Sequence, residues 1–201
     1  MFRHFLSTRG AIYGISAHSL NVRKFSYLSI HSVFPATLYR FQVYRESRLY
    51  DRTLAKNDRD YEEYEDGIEV ASDGLVYPNI SLDVSNGALF MPNTHLMQEI
   101  TRGSYDNYLE AVDNGQPIAH PGYLQMLKGT RIPSDLTLYR ERASRFSLQP
   151  SKPMPLAALN EILSEFYLNY GTTIPPDEWL ENNPYHEAQF DDSDDWMGKL
   201  K

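Results

Sequence analysis

The chain has 201 residues, 41% apolar and 23% charged, which is enough for one domain with a core and a short tail. It contains no Cys, which excludes a disulfide scaffold, a zinc–thiolate site and a Cys nucleophile. The net charge of −8 argues against a binder of duplex nucleic acid, which needs a cationic face. The sequence also predicts no membrane span, since no run of 18 apolar residues is present. The six His lack the spacing of a metal site, which argues against a bound metal ion.

The charge is unevenly distributed along the chain. Residues 1–45 contain six Lys or Arg and no acid, whereas the remaining 156 residues contain 13 basic and 27 acidic side chains. Residues 1–32 are rich in Ser and Arg, which is typical of a mitochondrial transit peptide. The alternative is a basic leader without an address, on a cytoplasmic protein. We expect the folded domain to span residues 33–185 and an acidic tail to span 186–201.

Two stretches in the first half of the chain are predicted to form strands. Residues 33–44 alternate polar and apolar side chains around Arg40. Residues 74–91 contain a short strand, a turn at residues 85–87 and a second apolar run. Gly87 in that turn permits either a positive φ or the close approach of another backbone or a ligand, and an ordinary Asn-Gly turn is equally compatible.

Helical patterns dominate much of the remainder. The clearest has a stripe of apolar side chains, a Pro in its first turn and a Gly at its end. The charged region 46–69 is predicted to be a solvated helix or loop, and residues 116–128 are predicted to be irregular. The predicted helices cover residues 95–101, capped by residues 92–94, residues 105–113, residues 156–170, and a short segment after Pro175 in which Trp179 and Leu180 face inward.

The stretch of residues 129–154 is the most informative for function. It contains two short predicted strands, 136–140 and 144–148, separated by three consecutive charges at residues 140–142. The second strand alternates polar and apolar residues, which is typical of a strand with one face in solvent. Prolines at 150, 153 and 155 are predicted to prevent any further strand, so charged strand ends lie side by side before a helix restarts.

These charges, together with Arg40 and the Gly87 turn, fit one kind of ligand. A planar guanidinium on a strand suits phosphate or carboxylate, and a glycine edge suits backbone hydrogen bonds to a carboxamide. A carboxylate stabilises positive charge that develops on a sugar carbon during glycosidic cleavage. The combination is compatible with a dinucleotide that has a cleavable glycosidic bond. The alternative is that each Arg pairs with one of the 27 acids.

Over residues 34–197 the sequence resembles the fungal relatives of a bacterial type VI secretion effector toxin, within the ADP-ribosyltransferase superfamily. The resemblance implies an α+β fold in which a split antiparallel β-sheet with flanking helices holds NAD in the cleft between its halves. The matching segments are Leu38-Tyr39-Arg40, Asp73-Gly74-Leu75-Val76-Tyr77-Pro78, Asn86-Gly87-Ala88 running into Phe90, Pro92-Asn93-Thr94, Gly129-Thr130-Arg131-Ile132-Pro133, Arg145-Phe146-Ser147-Leu148-Gln149-Pro150 and Pro153-Met154.

The resemblance also implies roles for individual residues. Arg40 takes the position of the first-strand Arg or His, and Glu141 is the nearest acid to the catalytic Glu, with Arg145 steering phosphate. The backbone of Gly87 and Ala88 falls where superfamily members place a Ser- or Thr-containing edge, with Ser85 nearby. The implied catalytic set is Arg40, Glu141 and Arg145, and the implied NAD-binding set is Tyr39, Arg40, Tyr77, Ser85, Gly87, Ala88 and Phe90, with Tyr77 or Phe90 against the ring.

The function implied by the resemblance is that of a toxin domain that consumes NAD. It breaks the nicotinamide–ribose bond and passes ADP-ribose to a macromolecule or to water, without a metal and with an antitoxin-like protein as a further partner. A non-catalytic NAD- or protein-binding module on the same fold is the alternative. A third hypothesis is a structural mitochondrial protein, and it rests only on the leader and the acidic surface.

Overall fold

The protein is described here by a computed structural model. The described residues are 29–54, 66–78, 85–142 and 144–190. Several predictions concern residues outside them: most of the leader, 1–28; part of the charged region, 55–65; and most of the acidic tail, 191–201.

Short strands and three α-helices alternate along the described chain. The strands are β1 Ser29–His31, β2 Leu38–Gln42, β3 Tyr50–Asp51, β4 Gly67–Ile68, β5 Leu75–Val76, β6 Ala88–Phe90, β7 Gly122–Met126, β8 Leu136–Arg140, β9 Phe146–Pro150, β10 Met154–Pro155 and β11 Thr172–Ile174. The helices are α1 His95–Asp113, α2 Leu156–Tyr170, α3 Pro176–Asn182 and a 3-10 turn at Tyr185–Glu187.

The strands form two principal antiparallel sheets. One has four strands in the order β1-β8-β9-β6, and the other has three in the order β11-β7-β2. The sheets meet where Tyr39 of β2 and Met91 exchange backbone hydrogen bonds of 2.8 and 2.9 Å, and we call this meeting of β2 with β6 the seam. The predicted α+β class with a split antiparallel sheet is therefore confirmed.

The hairpin of β8 and β9 lies at the centre of the larger sheet. β8 has the predicted bounds, but β9 begins two residues later than expected and includes Pro150, which pairs with Leu136. All five residues of β9 are buried, so the prediction of a solvent-exposed face is wrong. β9 lies between β8 and β6, and its polar side chains at Ser147 and Gln149 contact Glu141 instead of water.

Two helical predictions had different outcomes. α2 has its predicted bounds and buries Leu159, Leu163 and Phe166. The two helices predicted at 95–101 and 105–113 are one helix that continues through Gly103, because the Ser104 hydroxyl donates to the carbonyl of the preceding turn, 2.8 Å away, instead of capping a new helix.

The region predicted to be irregular contains the central strand of the three-stranded sheet. In β7 the side chains of Tyr123 and Leu124 are both buried although they point to opposite faces. A strand covered on both faces shows no alternation of polar and apolar residues, which explains why no strand was predicted there. The charged region 46–69 likewise contains strands β3 and β4, which pair in parallel.

The sheet begins before the predicted start of the domain at residue 33. β1 pairs with β8 in the register Ser29 with Arg140 through His31 with Leu138, so the four-stranded sheet includes three residues that precede the predicted start of the domain. At the other end, Gln189 of the predicted acidic tail accepts from the backbone of His95, 3.0 Å away, and donates to Asn93.

The apolar side chains form two cores, one on each side of the three-stranded sheet. The larger lies among β2, β6, β7, β8, β9 and α2, and the smaller consists of Tyr39, Met97, Tyr123, Ile174 and Trp179. None of the helices in the described part of the chain combines the length and apolar composition that crossing a membrane requires.

Candidate functional site

Arg40 is a buried cation at the seam. It lies on β2, only 2% exposed, and its guanidinium binds the carboxylate of Asp66 and approaches the carbonyl oxygen of Leu89 at 3.4 Å. The same Asp66 carboxylate accepts the backbone N–H of Leu89 at 2.7 Å. Arg40 and Asp66 together therefore tie β2 to β6 at Leu89.

Glu141 lies at the end of β8, where the chain turns toward β9. Its backbone N–H donates to the carbonyl of Arg145 at 2.9 Å, which closes the turn. Its carboxylate accepts the hydroxyl of Ser147 at 2.5 Å and lies 3.4 Å from the Gln149 amide nitrogen and 3.5 Å from the Arg145 guanidinium. We call Glu141, Arg145, Ser147 and Gln149 the Glu141 cluster.

Burial is the largest influence on the titration of Glu141. Burial raises the pKa of its carboxyl above the ordinary value, and this effect exceeds the opposing ones from the Ser147 hydroxyl, the Arg145 charge, the Gln149 amide and the Arg142 charge. A buried carboxyl with a raised pKa beside a more exposed cation is typical of a functional site.

The Glu141 cluster and the seam are joined by one pair of strand residues. Leu89 of β6 lies opposite Ser147 of β9, and cross-strand partners share a face of the sheet. Arg40 contacts the Leu89 carbonyl, and Ser147 contacts Glu141. The predicted catalytic residues Arg40 and Glu141 are thus connected through a single pair of neighbouring residues.

The need for glycine at position 87 is explained by the close approach of a neighbouring strand. A Cβ at this position would lie 2.3 Å from the carbonyl oxygen of Leu148, so only glycine allows β6 to approach β9 this closely. Its φ is not positive, and the close neighbour is β9, not a ligand. Asn86 holds the preceding turn, since its amide accepts from the N–H of Glu69 at 2.6 Å and donates to the Tyr77 carbonyl at 2.8 Å.

Tyr39 and Phe90, two residues of the predicted NAD-binding set, are core residues. Tyr39 points away from Arg40 on the same strand, packs edge-on against Trp179 at 5.4 Å and donates its hydroxyl to Asn183. Phe90 has no exposed surface and packs edge-on against Phe34 at 5.5 Å. Strand alternation places both rings on the side opposite to the polar groups.

The remaining predicted residues are divided between surface and interior. Tyr77 is 42% exposed, and its hydroxyl donates to Asp73 at 2.7 Å; this bond raises the pKa of Tyr77 and lowers that of Asp73. Ser85 and Ala88 are buried. Ala88 pairs with Leu148 inside the sheet, whereas the backbone N–H and carbonyl of Leu89 contact Asp66 and Arg40.

Sequence reasoning missed three polar residues of the site. Asp66 lies in the region predicted to be a solvated helix or loop, yet its carboxylate binds Arg40. Ser147 supplies the hydroxyl that was expected near residues 87–89, but from β9, and Gln149 follows it on the same face. The polar pair at alternate positions of an otherwise apolar strand was the available signal. In the described segments, no group of three or more His, Asp or Glu side chains is arranged to hold a metal ion.

Comparison with known proteins gives one family. A model of the family described as Tse2 ADP-ribosyltransferase toxin matches residues 36–179, a range that contains Arg40, Asp66 and the whole Glu141 cluster. No curated protein matches the chain.

Proposed function

Because the chain belongs to the Tse2 ADP-ribosyltransferase toxin family, we propose that it binds NAD beside the seam and cleaves the bond between nicotinamide and ribose. ADP-ribose then passes to a macromolecule or to water. The observation that carries the proposal is the Glu141 cluster, in which a buried carboxylate is held by Ser147 and connected through Leu89 to Arg40.

Glu141 is the residue we assign to the chemical step. When the glycosidic bond breaks, its electron pair leaves with nicotinamide and positive charge develops on the ribose carbon and ring oxygen. A carboxylate with a fixed orientation stabilises that charge. The incoming hydroxyl or water then forms the new bond to the ribose carbon and loses its proton.

The two arginines are assigned different parts of NAD. Arg145 is 38% exposed, so its guanidinium suits the diphosphate. Arg40 is buried, and we assign it to the ribose side together with Asp66, whose carboxylate is 30% exposed and accepts hydrogen bonds.

The test is nicotinamide release from NAD by the full chain and by Glu141→Gln, a change that preserves shape. We expect release by the parent and a loss of at least about 100-fold in the variant, since a fixed carboxylate contributes at least that much to such reactions. Glu69→Gln is the matched control, because the side chain of Glu69 forms an exposed ion pair with Arg52 at 3.1 Å. Release that survives in Glu141→Gln would place the acid elsewhere.

A non-catalytic NAD- or protein-binding module is the second candidate. The observation that favours its protein-binding form is the carboxylate of Asp66 on Arg40, because a guanidinium already compensated in this way has less need of an anionic ligand. Calorimetric binding of NAD by the parent without any nicotinamide release would support this candidate and exclude the first.

The biological setting extends the proposal further. We propose a toxin related to the fungal relatives of type VI effectors, addressed to mitochondria by residues 1–32 and held by an antitoxin-like protein. Growth arrest on expression of the parent, absent with Glu141→Gln, would support the toxin role. A fluorescent protein carrying residues 1–32 that stays in the cytoplasm would exclude the mitochondrial address.

A further inference from the structure

A continuous chain of buried hydrogen bonds ends at Glu141. The amide nitrogen of Gln149 lies 2.7 Å from the Ser147 hydroxyl oxygen, which lies 2.5 Å from the Glu141 carboxylate. Gln149 and Ser147 are fully buried, and Glu141 is 8% exposed. Gln149 was not among the residues that the sequence pointed to.

The direction of the protons in this chain follows from the chemistry of its groups. An amide nitrogen only donates, so the Ser147 oxygen accepts from Gln149. The single proton of Ser147 must then point elsewhere, and the Glu141 oxygen is the acceptor at hydrogen-bond distance. If that Glu141 oxygen carried a proton and donated it to Ser147, the Ser147 oxygen would accept from both neighbours and the buried Ser147 proton would lose its acceptor.

Gln149 therefore acts on Glu141 mainly through Ser147, since its amide nitrogen lies 2.7 Å from the Ser147 oxygen and 3.4 Å from the Glu141 carboxylate. We propose that Gln149 is a positioning residue, which fixes the direction of the Ser147 proton and thereby keeps Glu141 an ionised acceptor with a set orientation. This inference rests on the proposed function only in what Glu141 does next; the effect on Glu141 itself is independent of catalysis.

Two cations also act on Glu141. Arg145 lies 3.5 Å away, and Arg142 lies on the same turn; both lower the pKa of Glu141, whereas burial raises it. Their charges do not change over the pH range in which a carboxyl titrates. A change in the titration of Glu141 on substitution of Gln149 thus reports the hydrogen-bond chain.

The test is a carbon-13 NMR titration of the Glu141 carboxyl in the full chain, assigned with Glu141→Gln. Gln149→Met keeps the length of the side chain and removes the donor, so we expect the pKa of Glu141 to rise. Thr137→Val is the matched control, since Thr137 pairs with Gln149 across β8 and β9 but bonds to Ser151 at the surface. It should leave the titration unchanged. An unchanged Glu141 titration in Gln149→Met would overturn the inference whether or not the protein is an enzyme.

Two further measurements separate positioning from a merely structural role. Ser147→Ala should also raise the pKa of Glu141, and adding Gln149→Met to it should raise the pKa by less than Gln149→Met does alone, because only the longer direct contact of 3.4 Å is then left to lose. Fully additive shifts would contradict the inference. If Gln149→Met does not fold, Gln149→Asn replaces it, because the shorter side chain moves the donor back by one methylene. This variant should also raise the pKa of Glu141. An unchanged pKa would contradict the inference.

If the proposed enzyme activity holds, the acid limb of the kcat/KM profile should move to higher pH in Gln149→Met, because more Glu141 is protonated at a given acidic pH. A shifted Glu141 titration in a protein that releases no nicotinamide would uphold the positioning role and reject the proposed function. A shifted titration with an unmoved acid limb would overturn the link between this chain of bonds and the reaction.

Discussion

At the scale of single residues, the site depends on how each buried charge is compensated. Arg40 is buried in an apolar sheet and is compensated by Asp66, which also holds the backbone of Leu89. Glu141 is compensated by Ser147, Gln149 and Arg145. The sequence identifies charged residues by type, but it does not show which residue compensates which. Arg40 and Asp66, for example, are 26 residues apart in the chain.

The Arg40 pair gives a prediction about stability and binding. Asp66→Asn leaves a buried guanidinium without its carboxylate, so we expect the free energy of unfolding to fall by about 1–3 kcal/mol, less than for a fully buried pair because Asp66 is partly exposed. We also expect NAD or pyrophosphate to raise the Tm of this variant more than that of the parent, because an anion restores the lost charge. Urea unfolding and thermal scans measure both effects.

Glu69→Gln again supplies the control, since breaking its exposed pair with Arg52 should change the free energy of unfolding by less than about 1 kcal/mol. If Asp66→Asn were no more destabilising than this control, Asp66 would not be what compensates Arg40.

At the scale of elements, the close contact of β6 with β9 places Leu89 opposite Ser147, and this contact depends on Gly87. Gly87→Ala should destabilise the protein by about 1–3 kcal/mol, because its Cβ would overlap the Leu148 carbonyl, which is backbone and cannot move aside. Chemical denaturation of the two proteins measures the difference.

Gly103→Ala is the matched control. Gly103 is exposed within α1, where a Cβ would meet no atom within 4 Å, so this change should stabilise the protein by about 0.5–1 kcal/mol. Equal effects of the two substitutions would show that the approach of β6 to β9 tolerates a side chain.

At the scale of the whole molecule, two sheets are joined at one seam, and the larger sheet ends in β1, which covers the edge of β8. A chain that starts at Ser32 lacks β1, whereas one that starts at Ser29 retains it. We expect the shorter chain to melt about 2–4 °C lower, the equivalent of roughly 1 kcal/mol for a domain of this size, and to associate through the uncovered edge.

Thermal unfolding and sedimentation of the two chains test this prediction. Equal melting temperatures and equal monomer fractions would mean that β1 adds nothing to the sheet, and that the domain starts where the sequence suggested.

The sequence by itself determined the elements whose stabilising features are local. α2 was predicted to the residue because Pro155, an apolar stripe and Gly171 are all within one segment, and β8 was also predicted with the bounds it has. The sequence also identified Arg40 and Glu141 as residues of interest. The tertiary structure decided what depends on distant neighbours: that β7 is a strand buried on both faces, that Phe90 is core, and that Asp66, Ser147 and Gln149 surround the predicted charges. Burial and hydrogen-bond partners arise from contacts between segments far apart in the chain, and no local pattern specifies them.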